Sequence, residues 1–267
     1  MSASEGGTGM SIQDIFGLSG KVALVTGAGG GLGRAMAEAM AEAGATPVCF
    51  DRDAAGLAET EALLSARGLP CVTMTGDVTD ELGVDAALAE IDRRFGRLDI
   101  LFNNAGIGDP EPGPLHEHQT ENWKKIVDIN MNGVFYFARA ALRIMVRQGA
   151  GKIINTASMW GLAGSSSVFP MAGYTATKGA VVNLTRELAL QYASMNIQVN
   201  AICPGFFVTK LGPYEENEFV ELTTNFTPMK RLAQPSEIKG TALYLASSAS
   251  SFVTGACIVI DGGCMAK

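Results

Sequence analysis

From residue 21 to the end of the chain, short unbroken apolar runs alternate with longer stretches whose apolar positions recur at helical spacing. The run "KVALVTG" has no polar alternation, as expected of a strand covered on both faces. "GLGRAMAEAMAEAG" follows, alanine-rich and closed by glycine, the pattern of a helix with a C-terminal stop. The same alternation continues. "ATPVCFD", "PCVTMTGDV", "LDILFNNAG", "KIINTAS", "IQVNAICPG" and "CIVIDGG" read as strands. Between them, "AAGLAETEALLSARG", "DELGVDAALAEIDRRFG", one long helix over residues 120–149, a helix after Tyr174 and a helix from Pro235 fill the gaps. Regular strand–helix alternation predicts an α/β fold, a parallel sheet with helices on both faces. No repeat of fixed period and no linker breaks the pattern, so a single domain is expected over residues 18–267, with 1–17 as a flexible tail. The one long irregular piece, residues 205–234, is predicted to be a substrate lid.

Composition narrows the function classes. The chain has 267 residues and is 47% hydrophobic, enough for one large core. Its net charge of −7, with no basic run, argues against nucleic acid and anionic membranes as partners. No apolar stretch is long enough to span a bilayer, and "MSASEGGTGM" lacks the apolar segment of a signal peptide. The five cysteines are scattered, with no C-x-x-C pair, so neither a disulfide framework nor a thiolate metal site is expected. A cytoplasmic protein is the simplest expectation.

"TGAGGGLG" joins the first strand to the first helix. Gly27, Gly31 and Gly33, with Leu32 between, allow a tight turn and close backbone approach to a pyrophosphate at the helix N-terminus. Taken alone, the same glycines also suit a plain strand-to-helix turn. Asp51 ends the second strand, where a carboxylate accepts hydrogen bonds from ribose hydroxyls and repels a 2′-phosphate. It could instead cap the next helix, a role that Asp53 fits better. Arg52 leaves pairing with a 2′-phosphate open, but the expectation is NAD rather than NADP.

The order of "TGAGGGLG", "NNAG", Asn130, Ser158, "YTATK" and "PGFFVT" resembles the short-chain dehydrogenase/reductase family over residues 18–263. The resemblance implies a doubly wound, Rossmann-type sheet of seven strands that binds a nicotinamide dinucleotide. By the same resemblance Asp77 and Val78 lie on the adenine side, and Asn104, Ala105 and Gly106 lie beside the cofactor. Asn130 holds a proton-relay water, and Ser158, Tyr174 and Lys178 are catalytic. Pro204 and Gly205 border the cofactor, Thr209 fixes its carboxamide, and Lys178 also holds the nicotinamide ribose. Gly30 stands where NADP-using members often carry Arg or Lys. Two departures stand out: sixteen positions separate Ser158 from Tyr174, a few more than is common, and "TAS" replaces a pair of serines. "PGFFVTKL" and "LTRELALQY" are similar to gluconate 5-dehydrogenase-like members, which implies a sugar acid or polyol as substrate. The family also implies a homotetramer.

A phenol is a poor base at neutral pH, with an ordinary pKa of about 10. Tyr174 and Lys178 stand four apart on one helix face, so the cation is expected to lower the phenol's pKa. Tyr174 would then exchange the proton of a secondary alcohol or its ketone while Ser158 stabilises the oxygen. Met159, Trp160, Phe206 and Phe207 are candidate substrate contacts. Lys210 could meet an anionic group, and Glu215, Glu216 and Glu218 read as a solvated face. His116 and His118, around Glu117, read as solvated residues rather than metal ligands. The long helix is apolar over more than one stripe (Trp123, Ile126, Val134, Phe135, Phe137), so part of it is expected to be covered by another subunit. Two alternatives are a 3-oxoacyl thioester reductase using NADPH and a non-catalytic dinucleotide-binding protein. The full set of Asn130, Ser158, Tyr174 and Lys178 argues against the latter.

Overall fold

The computed structural model describes residues 11–266. Its seven strands are β1 (Val22–Thr26), β2 (Thr46–Asp51), β3 (Val72–Thr75), β4 (Ile100–Asn103), β5 (Gly151–Thr156), β6 (Ile197–Pro204) and β7 (Cys257–Ile260). They form one sheet in the order β3-β2-β1-β4-β5-β6-β7, parallel at every pairing. The chain runs outward from β1 to β3, then returns to lay β4 beside β1. That reversal opens a crevice at the C-terminal ends of β1 and β4, where doubly wound sheets bind ligands.

Two layers of helices bury the sheet. Alternate residues of β1 face opposite sides. Ala23 and Val25 pack with Met36 and Met40 of α2 (Gly31–Glu42) and Ala242 and Leu245 of α9 (Lys239–Ala246). Val22 and Leu24 pack with Val84, Leu88 and Ile91 of α4 (Glu81–Phe95) and Phe137 and Met145 of α6 (Gly133–Gln148). A strand covered on both faces has no room for polar alternation, which is why "KVALVTG" reads as a continuous apolar run. The remaining helices are α1 (Ile12–Phe16), α3 (Ala54–Ser65), α5 (Thr120–Val127), α7 (Ala172–Tyr192) and α8 (Asn217–Phe226).

Three boundaries differ from the sequence-based expectation. The tail does not extend to residue 17, because Ser11 and Asp14 form a reciprocal cap on α1, and the Ile15 carbonyl accepts from Ser248 Oγ at 2.8 Å. Residues 1–10 of that expected tail lie outside the described residues. The expected lid is not wholly irregular, since it contains α8. The long helix is interrupted by a π-turn over Asp128–Asn132 between α5 and α6. Gly133 follows that turn, and a Cβ there would lie 2.9 Å from Val78 Cγ2. The widened turn directs Asn130 inward to full burial, and π-turns of this kind occur mostly at functional sites.

A chain of buried polar side chains ties the layers together below the crevice. Asn103 Nδ2 donates to Asn155 Oδ1 at 2.9 Å, Asn155 Nδ2 to Thr185 Oγ1 at 2.9 Å, and Thr185 Oγ1 to the Val181 carbonyl at 2.8 Å. These bonds join β4, β5 and α7. Asn155→Ala strands a buried donor on Asn103 and a buried acceptor on Thr185. Urea unfolding is expected to show a loss of about 2–4 kcal/mol. A change within ~0.5 kcal/mol would show that the chain carries no stability.

Candidate active site

The glycine turn after β1 is built to let backbone approach the cleft. Gly27 and Gly31 adopt φ of 70° and 52°, and a Cβ on Gly33 would collide with the Gly27 carbonyl. Gly30 precedes α2 without a side-chain cap, so the first amides of the helix face the crevice. Arg34 and Thr60, neither visible as site residues in the sequence, hold the turn from behind. Arg34 Nη2 donates to the Gly29 carbonyl at 2.6 Å, and Thr60 Oγ1 donates to the Ala28 carbonyl at 2.8 Å. Asp51 lies at the end of β2 as expected. Its Oδ2 accepts from Gly29 N–H and its Oδ1 from Asp53 N–H, both at 2.9 Å. Asp53, not Asp51, caps α3 by accepting from Gly56 N–H.

A cleft of about 390 Å³ runs over these groups along the C-terminal ends of the strands. Gly27, Gly31, Leu32, Asp51, Asp77 and Val78 line one end. Asn104, Ala105, Gly106, Pro204, Gly205, Thr209, Tyr174 and Lys178 line the remainder. Thr26 supports the "NNAG" segment, since its Oγ1 accepts from the N–H groups of Asn104 and Ala105 at 2.9 and 3.0 Å. Thr209 reaches back over the glycine turn, its Cγ2 lying 3.3 Å from where a Gly31 Cβ would stand. Gly33 and Asn130 lie behind the cleft wall rather than on it. The uncapped amides, the glycine cradle and the two-point-anchored Asp51 carboxylate fit a dinucleotide laid across the crevice.

The candidate reacting groups converge from β5, α7 and the π-turn. Ser158 follows β5, is buried, and accepts from Trp160 N–H at 3.1 Å. Tyr174 and Lys178, one turn apart on α7, are both buried, with Lys178 Nζ 5.7 Å from the centre of the Tyr174 ring. Lys178 Nζ donates to the Thr156 carbonyl at the end of β5 at 2.8 Å. Asn130 clamps the backbone of Ile107, accepting from its N–H at 2.8 Å and donating to its carbonyl at 2.9 Å. A Cβ on Gly106 would lie 3.1 Å from Asn130 Oδ1 and 3.4 Å from Lys178 Nζ. Glycine there keeps the space between amide and ammonium open.

The electrostatics overturn one expectation. In the protein alone the Tyr174 phenol is raised, not lowered, because burial disfavours phenolate, while its hydrogen bond with Ser158 opposes the shift only in part. Burial also pushes the Lys178 ammonium down, to about 8. Helical spacing showed the charge pair but not the removal of water from both members.

Met159 and Trp160 are buried and form an apolar cluster with Tyr174, against which Phe206 and Phe226 pack. The Trp160 ring lies 6.3 Å from Phe206 and 5.7 Å from Phe226. Phe207 differs from its neighbour: it borders the cleft, but its side chain belongs to the main core beside α2 and α9. Lys210 is exposed and lines the cleft, and Glu215, Glu216 and Glu218 are exposed. His118 corrects the sequence reading. Its side chain is only 3% exposed, with Nε2 at 3.1 and 3.0 Å from the two oxygens of a fully buried Asp109. The loop after β4 folds back over nine residues to make this pair, which no local pattern reveals.

A family model described as enoyl-(acyl carrier protein) reductase matches residues 27–265. Gluconate 5-dehydrogenase of Gluconobacter oxydans is 39% identical over 95% of this chain and 98% of its own length. A crystal structure of a short-chain type dehydrogenase/reductase from Mycobacterium marinum superposes with a TM-score of 0.92 at 38% identity, covering 96% of this chain and 100% of the other. That of a gluconate 5-dehydrogenase from Burkholderia cenocepacia, in complex with NADP and tartrate, gives 0.90 at 36% identity, with 96% and 100% covered.

The depressed Lys178 makes a stability prediction with a defined sign. The unfolded chain takes its proton near the ordinary 10.5, the folded site only near 8. Lowering the pH through that window therefore favours the unfolded state, by up to about 3 kcal/mol, and has no further effect below it. Urea unfolding of wild type and Lys178→Met is expected to show the variant gaining relative stability from pH 10 to pH 8. A difference independent of pH would mean that Lys178 is not depressed.

Proposed function

The chain belongs to the short-chain dehydrogenase/reductase family, and on that premise we propose that Tyr174 exchanges the proton while hydride passes between NAD and a sugar acid or polyol. The reaction class itself is oxidoreduction of a secondary alcohol or its ketone with a nicotinamide cofactor. The observation that carries the proposal is that the Tyr174 phenol and the Lys178 ammonium line the cleft beside the glycine turn, with the buried Ser158 hydroxyl against Tyr174.

The bound dinucleotide supplies the hydride acceptor, or the donor in the reverse direction. Gly27, Gly31 and the first amides of α2 would hold its phosphates, and Asp51 would accept from its ribose hydroxyls. Ser158 hydrogen-bonds the substrate oxygen and steadies the charge that develops on it. Tyr174 takes the alcohol proton in oxidation and returns one to the ketone in reduction. Because burial holds the phenol protonated, Tyr174 stands ready as the acid. Water in the space that Gly106 leaves between Asn130 and Lys178 carries the proton outward.

The choice of NAD rests on Asp51, whose carboxylate is pinned at the cleft by two backbone amides and would repel a 2′-phosphate. Gly30 adds no cation at the turn. A sugar acid or polyol is supported by the likeness to gluconate 5-dehydrogenase and by Lys210 on the cleft as a partner for a carboxylate. A second reading, an acyl thioester reductase using NADPH, draws on the description of the family model and on the NADP of the Burkholderia relative. Arg52, which also lines the cleft, would be its phosphate partner. Assembly as a homotetramer is supported by apolar side chains left exposed around the π-turn, Trp123, Met131 and Phe135.

Tyr174→Phe is expected to bind NADH with unchanged affinity and to lose at least ~100-fold in kcat. Retained turnover would remove Tyr174 as the acid and base. In fluorescence titration NADH should bind at least ~10-fold more tightly than NADPH, and Asp51→Ala should erase most of that gap, since about 1.4 kcal/mol is a factor of ten. Tighter binding of NADPH would sink the Asp51 argument.

A further inference from the structure

A second phenol opens into the cleft beside Tyr174. Tyr214 stands between β6 and α8 and lines the same cavity as Tyr174 and Lys178. No motif marks it in "LGPYEENEF". Its ring is nevertheless fixed. Tyr214 meets Phe219 edge-on with centroids 5.1 Å apart, and Phe219 stacks on Phe169 at 5.2 Å and 14°. Phe219 belongs to α8, whereas Phe169 comes from the stretch between Ser158 and Tyr174 that is longer than the family usually has. The two loops therefore clamp one phenol at the cleft.

The backbone N–H of Tyr214 donates to the Gly212 carbonyl at 2.9 Å, but its hydroxyl has no hydrogen-bond partner among the described residues. Tyrosine hydroxyls placed in partly buried surroundings normally find one. Burial, together with the charge of a deprotonated Tyr174, pushes the Tyr214 phenol up to about 12. It therefore remains a hydrogen-bond donor at neutral pH, and the field of Tyr174 reaches it.

We propose that Tyr214 is a specificity residue whose hydroxyl hydrogen-bonds an oxygen on the carbon next to the one that exchanges hydride. The reacting oxygen already has Ser158 and Tyr174. A neighbouring phenol on the same cleft then meets the next oxygen along the substrate. The favoured substrates are vicinal diols and α-hydroxyketones. A substrate lacking that oxygen leaves the Tyr214 hydroxyl unpaired in a closed site, which is the efficient way to reject it. The proposal rests on the oxidoreductase reading.

The test compares 2-hydroxycyclohexanone with cyclohexanone, each reduced with saturating NADH by wild type and Tyr214→Phe. The quantity read is the change in the ratio of kcat/KM values, because the hydroxyketone is intrinsically the more reactive. Tyr214→Phe is expected to lower that ratio by about tenfold or more, through a fall for the hydroxyketone, a rise for cyclohexanone or both, with NADH affinity unchanged. An unchanged ratio, or an equal fall for both ketones, overturns the role of Tyr214 and leaves the oxidoreductase reading standing. Turnover of neither ketone by wild type overturns both.

Discussion

The site depends on one buried interaction, the bond from the Lys178 ammonium to the Thr156 carbonyl at the C-terminal end of β5. It ties α7 to the strand ends at the cleft. Tyr174, one turn earlier, is turned toward Ser158 and the cleft. The ammonium gives up its water for this, and burial moves it down to about 8. A group so depressed lies close to neutral pH, where it can still carry charge and can also release it. That is a different basis for chemistry from a fixed cation lowering a neighbouring phenol, and it places the site's resting state on the protonated side of Tyr174.

The sheet order supplies the other half of the geometry. The reversal between β1 and β4 opens the crevice, and the glycine turn after β1 lines it with backbone rather than side chains. Thr26 joins that turn to the "NNAG" segment, while Arg34 and Thr60 brace it from outside. The π-turn at Asn130 serves the reacting end in a similar way. By inserting an extra residue it brings an amide to full burial, where it clamps Ile107 and faces the opening beside Lys178. The candidate dinucleotide cradle and the candidate reacting groups thus meet at neighbouring strand ends.

Much of this was legible in the sequence where chemistry and local period coincide. Continuous apolar runs marked the strands because both faces are covered, and glycines at the first turn marked the cradle because a Cβ collides there. Tyr174 and Lys178 were visible as a pair because helical spacing is local. What escaped depends on contacts distant in the chain. The π-turn precedes a glycine that packs closely on Val78, distant in the chain, and the burial of His118 accompanies its pairing with Asp109. Phe207 looked like its neighbour Phe206 but turned into the core. Tyr214 was hidden because a lid without periodicity carries no signal of where its rings go. The sign of the Tyr174 shift was missed for the same reason: spacing reports which charges are near, while burial is decided by the whole fold.

The central claim is that burial, and not the lysine, sets the proton on Tyr174 in the protein alone. The most direct test is a pH titration of protein labelled with ζ-¹³C tyrosine, with the Tyr174 resonance assigned by its loss in Tyr174→Phe. The expected result is a phenol that stays protonated past its ordinary value of 10.0, and a Ser158→Ala variant in which it titrates higher still, because the one opposing hydrogen bond is gone. A Tyr174 resonance that titrates below 10.0 would contradict the account and restore the lysine as the dominant influence.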